Sequence, residues 1–155
     1  MTKIFLNDLG IRTDNLKTAI IPYFVLTAFF LLGSILVLNL IGDLLFPLWN
    51  KLYPSILILI FLAFLQELVF RSFLIPQLKS RVKSMFLVVL LDATIFAIAH
   101  IVFPFSHILV PGAFVVGLGF AYVYYYYPNL FLAGISHSIL NLVVIPVCYF
   151  KLISC

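Results

Sequence analysis

The sequence predicts an all-α protein, a polytopic transmembrane helical bundle of about five spans with its N-terminus in the cytoplasm. Of its 155 residues, 65% are hydrophobic and only 9% are charged, and the mean hydropathy is +1.27. This composition excludes a soluble domain, a disordered tail and a fibrous repeat. The apolar runs also have the length of roughly 20 residues that a bilayer core of about 30 Å requires.

Five apolar runs match this length: 19–41, 54–75, 84–103, 107–127 and 129–150. Prolines fall at or near the ends of these runs, where a missing N–H costs least. Thr13, Asp14 and Asn15 offer N-caps before the first run. Residues 1–12 lack the apolar core and cleavage site of a signal peptide, so we expect the first span to remain as a membrane anchor.

The basic residues predict the orientation. With the N-terminus inside, six basic residues lie in the cytoplasm and two outside. The excess of basic residues therefore indicates topology and not a nucleic-acid partner. The loops are too short for a second domain, so residues 1–155 are predicted to form a single membrane-embedded domain.

Polar side chains at membrane depth are the candidates for function, because each is costly there without a partner or a role. They are Asn39 in the first span, Gln66, Glu67 and Arg71 in the second, Asp92 and His100 in the third, and His137 and Asn141 in the fifth. For Asn39 we favour a hydrogen bond between helices. His107 is interpreted as an interfacial residue, and Cys148 and Cys155 can form neither a disulfide framework nor a four-ligand zinc site.

Three pairs of residues that include these polar positions are spaced four residues apart, which places each pair on one helix face. The pairs are Glu67 with Arg71, Phe96 with His100, and His137 with Asn141. A carboxylate and two imidazoles can activate water, while imidazole or amide N–H groups stabilise the oxyanion of an attacked amide.

Other interpretations of the same residues remain open. His100, His137 and either Glu67 or Asn141 could instead hold one zinc ion that activates water, although we expect no cofactor. Glu67 with Arg71, and Asp92 with a histidine, could also be buried ion pairs that set the helix register. A proton or ion carrier is a further alternative, since such groups also form relays.

Three motifs occur in order, each in a separate predicted span: Gln66-Glu67-Leu-Val-Phe-Arg71, Phe96-Ala-Ile-Ala-His100 and His137-Ser-Ile-Leu-Asn141. This set resembles the Glu-Glu-x-x-x-Arg, Phe-x-x-x-His and His-x-x-x-Asn motifs of the CPBP intramembrane endopeptidases. That family, also called Abi, includes type II CAAX prenyl endopeptidases and bacteriocin-processing or immunity proteins. The resemblance covers about residues 54–145.

The resemblance implies a role for each matching position. The first Glu of the family, the base that activates water, falls on Gln66, and the second falls on Glu67. The family's arginine matches Arg71, and the histidine assigned to water activation matches His100. The oxyanion-stabilising pair matches His137 and Asn141.

Gln66 departs from the family pattern, because an amide cannot act as the carboxylate base. A divergent natural member that relies on Glu67, an inactive binder and an engineered Glu-to-Gln trap all remain open. Helical rise places Glu67 about 13 Å from the cytoplasmic end near Pro76 and His100 about 24 Å from Ser84. His100 is thus about 10 Å too far out, unless the third span begins deeper or the helices tilt.

We therefore predict a glutamic-type intramembrane endopeptidase that cleaves a membrane-associated protein or peptide by activated water. The alternative is a catalytically impaired relative that acts by binding, for example in immunity to a membrane-active peptide. The expected partners are a membrane protein or peptide substrate and the lipid bilayer. The expected location of this multi-pass protein is the bacterial plasma membrane.

Overall fold

The computed structural model describes the backbone of residue 7 and of residues 9–40, 49–102 and 106–153, and the side chains of residue 7 and of residues 9–36, 56–102 and 109–142. The described part of the chain contains six α-helices: α1 (Leu16–Leu40), α2 (Trp49–Glu67), α3 (Ile75–Arg81), α4 (Met85–Ile98), α5 (Ser106–Tyr126) and α6 (Leu130–Ile153). A π-helical segment, Leu68–Leu74, joins α2 to α3, and a 3₁₀ turn, Ala99–Val102, follows α4. The all-α prediction is confirmed.

Four helical stretches of the described chain are long and apolar enough to cross a membrane: Leu16–Leu36, Ile56–Arg81, Met85–Val102 and Leu109–Tyr126. The remaining long helix, α6, has 24 residues, and its part with described side chains is an apolar helix, Leu130–Leu142. The prediction of a polytopic bundle is confirmed, and the chain is an integral membrane protein.

The second predicted span is longer than its predicted limit of residue 75. Helix continues through the π-helical segment into α3 and ends at Arg81. Pro76 does not terminate it, because this proline lies in the first turn of α3, where its missing N–H is least needed. The third span begins where it was predicted, since the Ser84 hydroxyl caps α4 by accepting from the Leu87 N–H.

Small residues bring the helices together. Helix α4 packs along α5, α2 packs along α6, and α1 also lies against α6. The interior contains the buried alanines Ala19, Ala63, Ala93, Ala121 and Ala133. In a membrane such residues let backbones approach closely, where larger side chains would hold them apart.

The outer surface of the bundle is strongly apolar. Many large hydrophobic side chains are exposed, among them Phe24, Phe29, Leu57, Phe61 and Phe86. Exposed apolar faces on this scale fit contact with lipid tails, since a soluble monomer rarely carries them. The interior therefore holds the polar side chains and the exterior faces the hydrocarbon.

Residues 9–15, which we call the N-terminal clasp, hold the turn between α5 and α6. Gly10 adopts φ +68°, a conformation that glycine takes without strain, and its carbonyl accepts from the Leu130 N–H at 2.8 Å. Asn129 Nδ2 donates to the carbonyl of Arg12 at 3.1 Å and to Oδ1 of Asn15 at 2.8 Å. These bonds fix the start of α6.

Tyr124 extends this network to the π-helical segment. Its hydroxyl donates to the Leu9 carbonyl at 3.0 Å and lies 3.0 Å from the hydroxyl of Ser72. Ser72 directly follows Arg71 in the chain. The clasp is thus connected by hydrogen bonds to the segment that carries Arg71.

Four predicted features lie outside the described side chains: the hydrogen bond of Asn39, the interfacial position of His107, and the two cysteines, Cys148 and Cys155.

Candidate functional site

Four ionisable side chains meet inside the bundle. Glu67 and Arg71 come from α2 and the π-helical segment, Asp92 from α4 and His137 from α6. Glu67, Arg71 and Asp92 are 0% exposed, and His137 is 5% exposed. Burial of four such groups is costly unless they are paired with one another, and we call them the buried cluster.

The shortest contact in the buried cluster joins α2 to α6. Nδ1 of His137 lies 2.7 Å from Oε1 of Glu67. Because an ionised carboxylate only accepts hydrogen bonds, Nδ1 carries the proton in this pair. Nε2 of the neutral imidazole then retains its lone pair and can accept a proton.

Arg71 lies between two carboxylates. Its Nε is 3.4 Å from Oε2 of Glu67 and 3.6 Å from Oδ2 of Asp92, and its Nη2 donates to the carbonyl of Gly117 at 3.4 Å. The absence of a side chain at Gly117 lets α5 approach α4, since an added Cβ would lie 3.1 Å from the Phe96 ring. The predicted Glu67–Arg71 pair is present. The predicted pair of Asp92 with a histidine is wrong for the described residues, because Asp92 lies against Arg71.

Aromatic rings enclose the charged groups. The guanidinium carbon of Arg71 lies 4.3 Å from the Phe96 ring centroid and 5.9 Å from that of Phe120. The imidazole of His137 lies 5.9 Å and 5.7 Å from the same two rings. A cation over a ring face gains electrostatic energy, and this gain is larger where water is excluded.

His100 lies beside the buried cluster, one turn beyond Phe96 in the 3₁₀ turn. Its ring stacks on Phe96 with centroids 4.6 Å apart, and its Nδ1 is 2.8 Å from the Phe96 carbonyl. The bundle therefore brings both His137 and His100 into contact with the Phe96 ring. Helix α4 begins at Met85, directly after Ser84.

Asp92 lies level with Arg71. Asp92 lies eight residues after Ser84, a rise of about 12 Å, and Arg71 lies ten residues before Arg81, where the second helical stretch ends, a rise of about 15 Å. From the same end Glu67 lies about 21 Å away, so His100, about 24 Å from Ser84, is not too far out once the second span ends at Arg81 and not near Pro76. Sequence spacing could have identified this aspartate as a member of the site.

Gln66 and Asn141 are less buried than the residues of the buried cluster. Both side chains are half-buried, whereas their neighbours in the motifs, Glu67 and His137, are buried. Consecutive residues on a helix point about 100° apart, so the buried cluster receives the carboxylate of Glu67 and not the amide of Gln66.

The π-helical segment is the structural feature that the sequence did not predict. Segment Leu68–Leu74 carries Arg71 and Ser72, both buried. Single π-helical turns are rare and concentrate at functional sites. Phe120 was also missed, because a phenylalanine in an apolar span carries no signal that separates a site residue from a lipid-facing one.

The described side chains do not form a metal site. Among residues 9–36, 56–102 and 109–142, no group of three His, Cys, Asp or Glu side chains could hold a metal ion. A zinc site needs at least three such ligands with a fixed geometry. The first of the two donor sets considered for zinc, His100, His137 and Glu67, is therefore not gathered into such a group.

One family model matches the chain over residues 47–143, more than half of its length; the model is described as type II CAAX prenyl endopeptidase, Rce1-like. The matched range contains all three motifs. No curated protein and no solved structure matches the chain.

Proposed function

Because the chain belongs to the Rce1-like family of type II CAAX prenyl endopeptidases, we propose that it hydrolyses a peptide bond in a membrane-associated protein or peptide with water activated at the Glu67–His137 pair. The membership in the CPBP intramembrane endopeptidases inferred from the three motifs is thereby confirmed. The 2.7 Å contact between His137 Nδ1 and Glu67 Oε1 is the observation that carries the proposed mechanism.

In this mechanism His137 is the base. Its Nδ1–H donates to Glu67, so its Nε2 takes a proton from water while the water oxygen attacks the peptide carbonyl carbon. Glu67 stabilises the imidazolium that forms. The carbon–nitrogen bond breaks when the leaving nitrogen takes the proton from Nε2. The two products are a peptide with a new carboxyl group and a peptide with a new amino group. This mechanism departs from the predicted glutamic type, because the base is the imidazole of His137 and the Glu67 carboxylate orients it.

The amide N–H group of Asn141 is the proposed donor to the oxyanion. Asn141 lies one turn after His137 on α6 and is half-buried, so a bound peptide could reach both residues from the same side. Loss of one donor of this kind typically lowers the rate by about 10²- to 10³-fold. His100, stacked on Phe96, is proposed as a second imidazole facing the substrate.

The second candidate function is binding without cleavage. Two observations favour it: Gln66 stands where the family has a carboxylate base, and Glu67 is 0% exposed with both oxygens close to buried partners. A relative of this kind would sequester a membrane-active peptide, as an immunity protein does. Such a role would place it in a bacterial plasma membrane.

The experiment uses the full chain in liposomes with a peptide that ends in a prenylated Cys-a-a-X sequence. We expect release of the C-terminal tripeptide by the wild type and its loss in Glu67→Gln and His137→Gln. Asp14→Asn is the matched control, because this exposed carboxylate pairs only with Arg12 among the described residues. Saturable peptide binding with no product would instead support the second candidate.

A further inference from the structure

Asp92 is a buried ionisable group that the proposed mechanism does not use. It lies on α4 and is 0% exposed. Among the described residues its one charged contact is to Arg71, with 3.6 Å between Oδ2 and Nε. Neither oxygen of Asp92 accepts a hydrogen bond from the described residues, nor does Oε2 of Glu67, and Nε of Arg71 donates none to them.

The buried cluster has one negative charge too many if both carboxylates are ionised. Arg71 contributes one positive charge, Glu67 and Asp92 contribute two negative charges, and a neutral His137 contributes none. An uncompensated charge at this depth is expensive. The part of α5 with described side chains, residues 109–126, adds no compensating charge, since it contains no Asp, Glu, Lys or Arg. Helix α3, which also packs against α4, carries Lys79 and Arg81, and both are exposed. His100 follows α4, where its Nδ1 lies 2.8 Å from the Phe96 carbonyl and its ring contacts Phe96. The cluster therefore needs one additional proton.

That proton can rest on Asp92, Glu67 or His137. Ionised Glu67 keeps the hydrogen bond from His137 at 2.7 Å and the contact with Arg71 at 3.4 Å. Ionised Asp92 has only the longer contact with Arg71. Protonation of Asp92 therefore loses less interaction energy than protonation of Glu67 would. A proton on His137 would occupy Nε2, the atom that must accept a proton from water.

We propose that Asp92 is a positioning residue that holds the additional proton of the buried cluster as a neutral carboxylic acid and thereby keeps His137 unprotonated. This inference rests on the proposed function for its role in catalysis. Asp92 acts through Arg71, which then pairs with Glu67 alone. Gln66 does not supply the second carboxyl group that the family motif has. Asp92, on a different helix, supplies one to the site.

Infrared spectroscopy of the full chain in liposomes tests the position of the proton without any substrate. A protonated carboxyl group has a carbonyl stretch that an ionised one lacks. Glu67 is the only glutamate of the chain, whereas there are four aspartates. We expect a carboxylic-acid band near neutral pH that shifts with ¹³C-aspartate and not with ¹³C-glutamate.

Single variants assign the band to one aspartate. The band should vanish in Asp92→Asn and persist in Asp8→Asn, Asp14→Asn and Asp43→Asn. Because the chain has four aspartates, a band that persists in the last three variants belongs to Asp92, even if Asp92→Asn does not fold. ¹⁵N-histidine spectra should show a neutral His137 protonated at Nδ1 over the same pH range, with His137→Gln assigning the signal.

Two results would overturn the inference: a band that follows ¹³C-glutamate, or an imidazolium signal from His137 where no acid band exists. Neither measurement uses peptide cleavage. A wild type that binds but does not cleave the prenylated peptide would therefore reject the proposed function. The spectra would still show which group holds the proton.

Discussion

Glu67 and His137 are 70 residues apart in the sequence, yet Oε1 of Glu67 and Nδ1 of His137 lie 2.7 Å apart inside the bundle. This contact joins the first and the last of the three motifs across α2 and α6. It orients the imidazole, because the proton at Nδ1 is committed to the carboxylate and Nε2 is left as the acceptor.

Replacement of Gln66 with Glu should raise the rate of proteolysis. A carboxylate at this half-buried position can accept a proton from water, as a glutamine amide cannot. Gln66→Ala should leave the activity at the wild-type level, and Gln77→Glu, a matched change at an exposed glutamine, should also have no effect. The measurement is kcat/KM for the prenylated peptide. A wild type as fast as Gln66→Glu would show that Gln66 is not a defect.

Replacement of Arg71 with Met should lower the stability strongly. The change removes the one guanidinium that faces Glu67 and Asp92 in the described structure and strands the charge of Glu67, at a cost of about 3 to 5 kcal/mol. Thermal unfolding in detergent gives the midpoint, and Arg81→Met, at an exposed arginine, is the control. An unchanged midpoint in Arg71→Met would exclude a buried ion pair.

Replacement of Gly10 with Ala should loosen the N-terminal clasp. The backbone at φ +68° disfavours a side chain by about 1 to 2 kcal/mol, and the added Cβ would clash with the Tyr124 hydroxyl. Gly33→Ala is the matched control, because its Cβ meets nothing within 4 Å, and a helical alanine should raise stability slightly. If the two variants unfold at the same temperature, the N-terminal clasp does not contribute to the stability of the fold.

Replacement of Asn141 with Ala should slow cleavage by about 10²- to 10³-fold if its amide donates to the oxyanion. We also expect activity to persist in a strong chelator and elemental analysis to find no stoichiometric zinc. One zinc per chain, lost in both His100→Ala and His137→Ala, would instead establish a metal mechanism. Asn39→Ala, in a different predicted span, serves as the control for loss of an amide.

The apolar runs of the sequence determined the all-helical bundle and the start of α4 at Ser84 and Met85. These features are local, since the length of an apolar run and a serine cap act within one segment. Spacing also placed Glu67 with Arg71, and His137 with Asn141, on one face of a helix each. The resemblance of the three motifs to a known family, and not the spacing, predicted that Glu67, Arg71 and His137 lie together.

Only the tertiary structure decided which of these side chains meet. It brought Asp92 to Arg71 and not to a histidine, placed Arg71 on a π-helical segment, and left Gln66 half-buried beside the buried Glu67. Such contacts depend on the relative depth and rotation of helices that are far apart in the sequence. A rotation of about 100° separates Gln66 from Glu67, and packing of small residues between helices, not periodicity within one, sets that rotation.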